Sequence, residues 1–374
     1  MLTKAAKYSE EIKMLTNKTT IQREHEFALC HEHILELTNE ERSLVADALA
    51  GLPPINVSSC KDDLITEVEL RSRHLPDRLA RQLIHFRKHS NDNGFLLFRN
   101  LPIDDNLPLT PDDGGISREK TSYMSEYVLL AIMLHLGEPI AYADEKDGTL
   151  IQNICPLRGM EEAQENCGCT FLEFHTEDAF HPHKPDFIGL LCLKPDHDHI
   201  AATAAASIRR AISLVPSKAQ EILRQPLYRI RLSSSFKSGN GKTVFSDYSP
   251  VLSGDMLEPE LSVDFYGMEA STPSGQLALK ILEEALLKVA VEHRLLAGDL
   301  MIIDNRVAAH ARTAFQPRHD GEDRWLQRLF VVHDFRRSRA SRPHDSHVCV
   351  SLPIEFSNRD LDKSNNQLTI QRER

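Results

Sequence analysis

Cysteine is scarce in this chain: seven residues in 374, at positions 30, 60, 155, 167, 169, 192 and 349. Thiols this few, odd in number and irregularly spaced, make no disulfide framework and fit a reduced, cytoplasmic compartment. No run of eighteen apolar residues occurs, so no transmembrane helix is expected. The opening MLTKAAKYSEEIKMLTNKTT has no apolar stretch of signal-peptide length. Positive charge is also short, with 44 Lys+Arg against 55 Asp+Glu and a formal net charge of -11. That field repels phosphate backbones and anionic lipid, so neither a nucleic-acid nor a membrane partner is expected. Phosphate loop, dinucleotide glycine fingerprint, serine elbow, Cys-x-x-Cys and His-Glu-x-x-His are all missing.

What remains is a globular composition, 41% hydrophobic and 26% charged. Residues 1–37 read as a polar N-terminal extension, 38–342 as a single domain, and 343–374 as a polar tail. Helical spacing begins at Thr38, continues over 61–89 with a division at Pro76, and returns at 127–137 and 275–294. Between these lie short strand-like runs, among them GFLLFRNLP (94–102), LIQNIC (150–155), TFLEFHTE (170–177), DFIGLLCL (186–193), LYRIRLSSSF (227–236), LAGDLMIIDN (296–305) and WLQRLFVVHDF (325–335). Many short strands with a few flanking helices predict a mostly β protein built on a double-sheet barrel, a jelly roll. Loops at 104–120 and 236–256, rich in Gly, Ser, Pro and Asp, are candidate lids.

Eighteen histidines guarantee chance clusters, so spacing has to discriminate. His175 and Glu177 close a strand-like run, where residues two apart share a face and can bind one metal ion together. A distant third histidine, with His310 in DNRVAAHARTAF as candidate, would complete two histidines and one carboxylate, which on Fe(II) leaves sites for a 2-oxo acid and O2. The plainer alternative is a polar turn. Arg324 and Arg328 stand four apart in DRWLQR and share a strand face. If that face is inward, two buried guanidiniums call for carboxylate ligands; if outward, they make surface salt bridges. Cys167-Gly-Cys169 is too tight for a zinc knuckle and lacks a second pair, and DHDH (196–199) reads as a solvated turn. A zinc hydrolase on His175, His181 and His183 is a competing chemistry, and a metal-binding barrel without turnover is another.

HTEDAFHPHKPDFIGLLCL, GDLMIIDNRVAAHARTAFQPRHDGEDRWLQRLFVVHD and the following RRSRASR resemble the clavaminate synthase-like Fe(II)/2-oxoglutarate-dependent oxygenases, and among them the bacterial hydroxylases of free arginine, asparagine or lysine. GFLLFRNLP and GEPIAY with LIQNICP extend the likeness over roughly residues 90–342. The resemblance implies a double-stranded β-helix with His175, Glu177 and His310 as iron ligands. It implies Arg324, helped by Thr203, on the far carboxylate of 2-oxoglutarate, and Arg328 on the substrate α-carboxylate. Gln152, Asp264 and Glu177 would adjoin the substrate. The implied reaction hydroxylates an unactivated C3 or C4 carbon of a free L-amino acid while 2-oxoglutarate and O2 become succinate and CO2. Desaturation or cyclisation uses the same ligands, whereas Glu177 disfavours halogenation. One departure concerns specificity: where hydroxylases of basic amino acids often carry Asp-x-Asp, SVDFYG keeps Asp264 but has Tyr266 at the second position. Arginine recognition by two carboxylates is therefore in question, and lysine, a neutral polar side chain or an unusual amino acid all stay open.

Overall fold

The main strands of this chain are buried on both faces, so apolar residues pack on either side of each sheet. The computed structural model describes residues 33–57, 60–117, 119–164, 167–232, 244–343 and 346–352. Its strands are β1 (Ile34–Glu36), β2 (Phe95–Arg99), β3 (Glu138–Tyr142), β4 (Ile151–Ile154), β5 (Leu172–His175), β6 (Phe187–Lys194), β7 (Thr203–Ser207), β8 (Tyr228–Ile230), β9 (Leu252–Gly254), β10 (Pro259–Leu261), β11 (Met268–Ala270), β12 (Val291–His293), β13 (Leu300–Asp304), β14 (Ala308–Arg312), β15 (Trp325–Val332) and β16 (Val348–Cys349). The larger sheet runs β1-β2-β13-β6-β15-β3-β16, with β4 also paired to β15. A second sheet runs β12-β7-β14-β5, and β8 with β11 and β9 with β10 form two further antiparallel pairs.

One apolar cluster joins the outer face of the large sheet (Phe98, Leu191, Ile302, Trp325, Leu329) to four helices, Asn39–Leu49, Asp62–Ser72, Asp77–His89 and Met124–Met133. A second joins the outer face of the small sheet (Ala204, Ala206, Ala309, Ala311) to the helix Pro273–Val289. A third holds residues of the opposite faces of both sheets, among them Phe95, Ile188, Met301, Leu326 and Phe330 with Ala205 and Ala308. The molecule is mostly β-sheet with helices outside, and the site lies between the sheets. Close approach needs small residues: a Cβ on Gly189 would sit 2.7 Å from Met133 Sδ on the helix that covers β6.

Helix ends follow local rules. Thr38 caps the first helix in a reciprocal box with Glu41, and Pro76 stands at the N-cap of Asp77–His89. The helical pattern at 275–294 ends early, at Val289, because Val291–His293 are drawn into the small sheet as β12 against β7. β1 pairs with β2 and β16 with β3, both parallel, so residues from the polar extension and tail of the sequence reading join the large sheet. Residues 236–243 of the expected lid, most of the extension and the end of the tail lie outside the described residues. Among the described residues no helix is long and apolar enough to cross a membrane.

Candidate active site

Antiparallel pairing of β14 with β5 sets His310 directly opposite His175. Their rings lie 4.3 Å apart between centroids, and His310 Nε2 is 3.5 Å from Glu177 Oε2. Donor atoms of all three residues fall within 4.8 Å of one another, a spread that a single ion can span. His175 engages the Glu173 carbonyl through Nδ1 at 2.8 Å, which fixes that nitrogen as the donor and leaves Nε2 for a metal. Asn305, fully buried in the β13–β14 turn, accepts from Glu177 N at 2.7 Å and donates to the Glu177 carbonyl at 3.0 Å and the Pro185 carbonyl at 2.9 Å. The turn that leads to His310 thus holds the backbone of Glu177.

Electrostatics suit metal binding. Burial lowers His310 to about 4, with His175 adding to the effect and Glu177 opposing it, so the imidazole is neutral at neutral pH. Burial acts to raise the Glu177 carboxyl, but Arg328, His310 and His175 outweigh it and hold the group below the usual carboxylate range. Two imidazoles and an ionised carboxylate on one face fit a divalent iron. Among the described residues, the other His/acid cluster is His197, Asp320 and Asp323. There Asp320 meets Nε2 at 3.1 Å and Asp323 lies 3.8 Å from Nδ1, so opposite ring edges face the two carboxylates as in ion pairing.

Arg328 projects from β15 beside this cluster and is 1% exposed. It donates to Glu177 Oε1 at 3.0 Å, to Gln152 Oε1 at 3.1 Å through Nε, and to Glu145 Oε1 through Nη2. Gln152 also donates to the Thr149 carbonyl at 3.3 Å, so its amide is engaged in holding the guanidinium. Burial lowers Arg328, yet Glu145 and Glu177 reverse this and keep it firmly cationic. The second oxygen of Glu145 is buried without a hydrogen-bond partner. Burial raises the Glu145 carboxyl, with Arg328 pulling the other way.

Arg324, just ahead of β15, is also buried, and burial lowers its pKa. No carboxylate among the described residues pairs with it; its guanidinium lies 5.9 Å from the Phe315 ring. Arg312 on β14 packs on the same ring at 5.5 Å and is lowered to about 10 by burial and by the charge of Arg324. Thr203 is buried opposite Arg312 in the β14–β7 register. A buried guanidinium that no carboxylate among the described residues pairs with fits the far carboxylate of a 2-oxo diacid.

The backbone of Asp264 bridges to His175, and its Oδ1 accepts from Tyr266 N at 3.0 Å and Gly267 N at 2.9 Å. Tyr266 points outward, half exposed, with the Arg231 guanidinium 5.1 Å from its ring. His181 and His183 do not join His175. The former packs on Tyr142 at 4.2 Å between ring centroids, and the latter meets Ser341 Oγ at 3.0 Å. The zinc trio is therefore not assembled, and Cys167 and Cys169 are both buried. Sequence reasoning passed over Glu145, Asn305 and Arg312. Arg312 carried a signal, two residues from His310 in a strand; Glu145, inside ADEKDG, looked like any polar turn.

The model of the taurine catabolism dioxygenase TauD, TfdA family matches residues 67–330. The chain is 43% identical over 280 residues to an L-asparagine oxygenase of Streptomyces coelicolor, covering 74% of this chain and 83% of that one. It is 32% identical to clavaminate synthase 2 of Streptomyces clavuligerus, covering 79% and 90% respectively. A solved asparagine oxygenase in complex with Fe(II), 2S,3S-3-hydroxyasparagine and succinate superimposes with a TM-score of 0.80 at 37% identity, over 86% of this chain and 100% of that one. The chain belongs to the TauD/TfdA family of non-haem iron, 2-oxoglutarate-dependent oxygenases.

Proposed function

We propose that this enzyme hydroxylates C3 of a free L-amino acid with a short polar side chain, asparagine first among them, with Fe(II), 2-oxoglutarate and O2. The observation that carries the reading is the buried pair of Arg328 and Glu145 beside the Glu177 carboxylate. A guanidinium next to a carboxylate that has one oxygen unpartnered is complementary to an amino-acid zwitterion: Arg328 takes the α-carboxylate and Glu145 the α-ammonium. Gln152 keeps the guanidinium aligned. Asp264 adjoins the side-chain end, where one carboxylate accepts from an amide as readily as from a cation. Similarity to the asparagine oxygenase favours the amide.

His175, Glu177 and His310 hold the iron, and Arg324 with Thr203 receives the far carboxylate of 2-oxoglutarate. The bound iron and co-substrate supply the oxidising chemistry, in which 2-oxoglutarate and O2 become succinate and CO2 and one oxygen atom enters the amino acid. The protein's own share is orientation: two carboxylates of two ligands anchored four residues apart on one strand face, with water kept out by both sheets. The sheet arrangement supports a double-stranded β-helix core, taken as a single domain over 38–342 with edge strands from the flanking segments.

The test is anaerobic loading with Fe(II) and 2-oxoglutarate, then succinate release in air with each L-amino acid in turn, with product mass read in the same samples. Asparagine should stimulate succinate and gain one oxygen atom. A product lighter by two hydrogens would establish desaturation or cyclisation instead, and no stimulation by any amino acid would sink the reading.

A further inference from the structure

Between the two ligands of the His-x-Glu pair stands Thr176, a residue with no part in metal or substrate binding. Neighbours in extended chain face opposite ways, so while His175 and Glu177 look inward Thr176 looks out. It is 1% exposed, and its amide and hydroxyl both engage Val263. Thr176 N donates to the Val263 carbonyl at 2.7 Å, its hydroxyl donates to the same carbonyl at 3.1 Å, and Val263 N donates to the hydroxyl at 3.0 Å. One residue further on, Asp264 bridges to His175, and Phe265 N donates to the Phe174 carbonyl at 3.2 Å. The Asp264 carboxylate is itself fixed by the amides of Tyr266 and Gly267. The ligand strand and the Asp264 segment are thus stitched together over a few residues, and the Thr176 hydroxyl makes two of the bonds.

We propose that Thr176 is a positioning residue that sets the register of segment 261–268 against the ligand strand, and so fixes where the substrate side chain stops relative to the metal. This rests on the reading of Asp264 as the group that meets the side chain. A substrate held loosely at that end leaves the target carbon out of line while 2-oxoglutarate is still consumed. The predicted signature is loss of coupling rather than loss of metal.

Thr176→Val keeps the shape and removes the hydroxyl, leaving Val263 N–H without a partner. In this variant Fe(II) and 2-oxoglutarate should bind within about twofold of the parent chain, the amino-acid KM should rise about tenfold, and succinate released per hydroxylated product should climb to about three. Hydrogen exchange of the metal-free chain should quicken at 262–268 and stay unchanged in β14. Thr176→Ser, which keeps the hydroxyl, should restore KM and coupling. An unchanged ratio and KM in Thr176→Val would overturn the assignment. So would Fe(II) affinity falling in step with substrate affinity, or Thr176→Ser behaving like Thr176→Val. If the parent chain itself releases no extra succinate with any amino acid, the hydroxylase reading fails and the assignment falls with it; an active, coupled Thr176→Val sinks the assignment alone.

Discussion

At the scale of single residues, the two arginines can be told apart by kinetics. Arg324 pairs with no carboxylate among the described residues, so Arg324→Ala removes a ligand contact without stranding a protein charge; the KM for 2-oxoglutarate should rise at least about thirtyfold, with little change in the amino-acid KM. Arg328 neutralises Glu145 and Glu177. Arg328→Ala should therefore weaken amino-acid binding and also destabilise the fold by about 3–5 kcal/mol, read from the denaturant midpoint. Equal effects of both substitutions on both substrates would contradict the division of roles. The sequence carried much of this. Two-residue spacing in a strand puts His175 and Glu177 on one face, and four-residue spacing does the same for Arg324 and Arg328. Glu145 was illegible because its importance comes from a neighbour 183 positions away, Arg328, and no local pattern encodes that distance.

Elements supply what residues cannot. The β13–β14 turn carries Asn305, and its three hydrogen bonds join Glu177 to the strand of His310. Asn305→Ala leaves Glu177 N–H and two carbonyls buried and unpaired. Fe(II) affinity should fall about 10–100-fold in an anaerobic titration, although no metal ligand is touched. Unchanged affinity would show that β5 and β14 hold the site without the turn. Secondary structure was largely readable, since capping at Thr38, the break at Pro76 and the short apolar runs of β6, β13 and β15 are local signals. β12 escaped because Val291–His293 continue a helical spacing and only pairing with β7 makes them extended. Asn305 escaped too, since an Asn in a turn is ordinary until its partners are seen.

For the molecule as a whole, burial of neutral histidine couples stability to acid. His293, packed against Phe95 with His33 nearby, is lowered to about 4, chiefly by burial and then by His33 and Arg99. Its folded pKa lies below the unfolded value near 6.5, so the unfolded chain binds the proton first. The contribution is complete above that unfolded value and is lost as pH falls toward 4, on the order of 3 kcal/mol by the end of the window. His293→Phe should flatten the fall in unfolding midpoint between pH 6.5 and 4 relative to the parent chain, and parallel curves would refute the linkage. Which strands pair was the least legible property of all. The order β1-β2-β13-β6-β15-β3-β16 joins residues hundreds of positions apart, and periodicity says which face of a strand is apolar but not which strand lies beside it.

That order ends on two very short strands drawn from opposite ends of the chain, three residues of β1 and two of β16. Each lies along a strand of mostly apolar residues, β2 (FLLFR) and β3 (EPIAY). Without them the sheet would present rows of unpaired backbone donors and acceptors, which are templates for another copy of the same chain. These two strands, drawn from segments that read as polar in the sequence, cover those rows and act as bumpers against self-association. A trimmed version that kept every iron and co-substrate contact would keep the chemistry and lose its colloidal restraint.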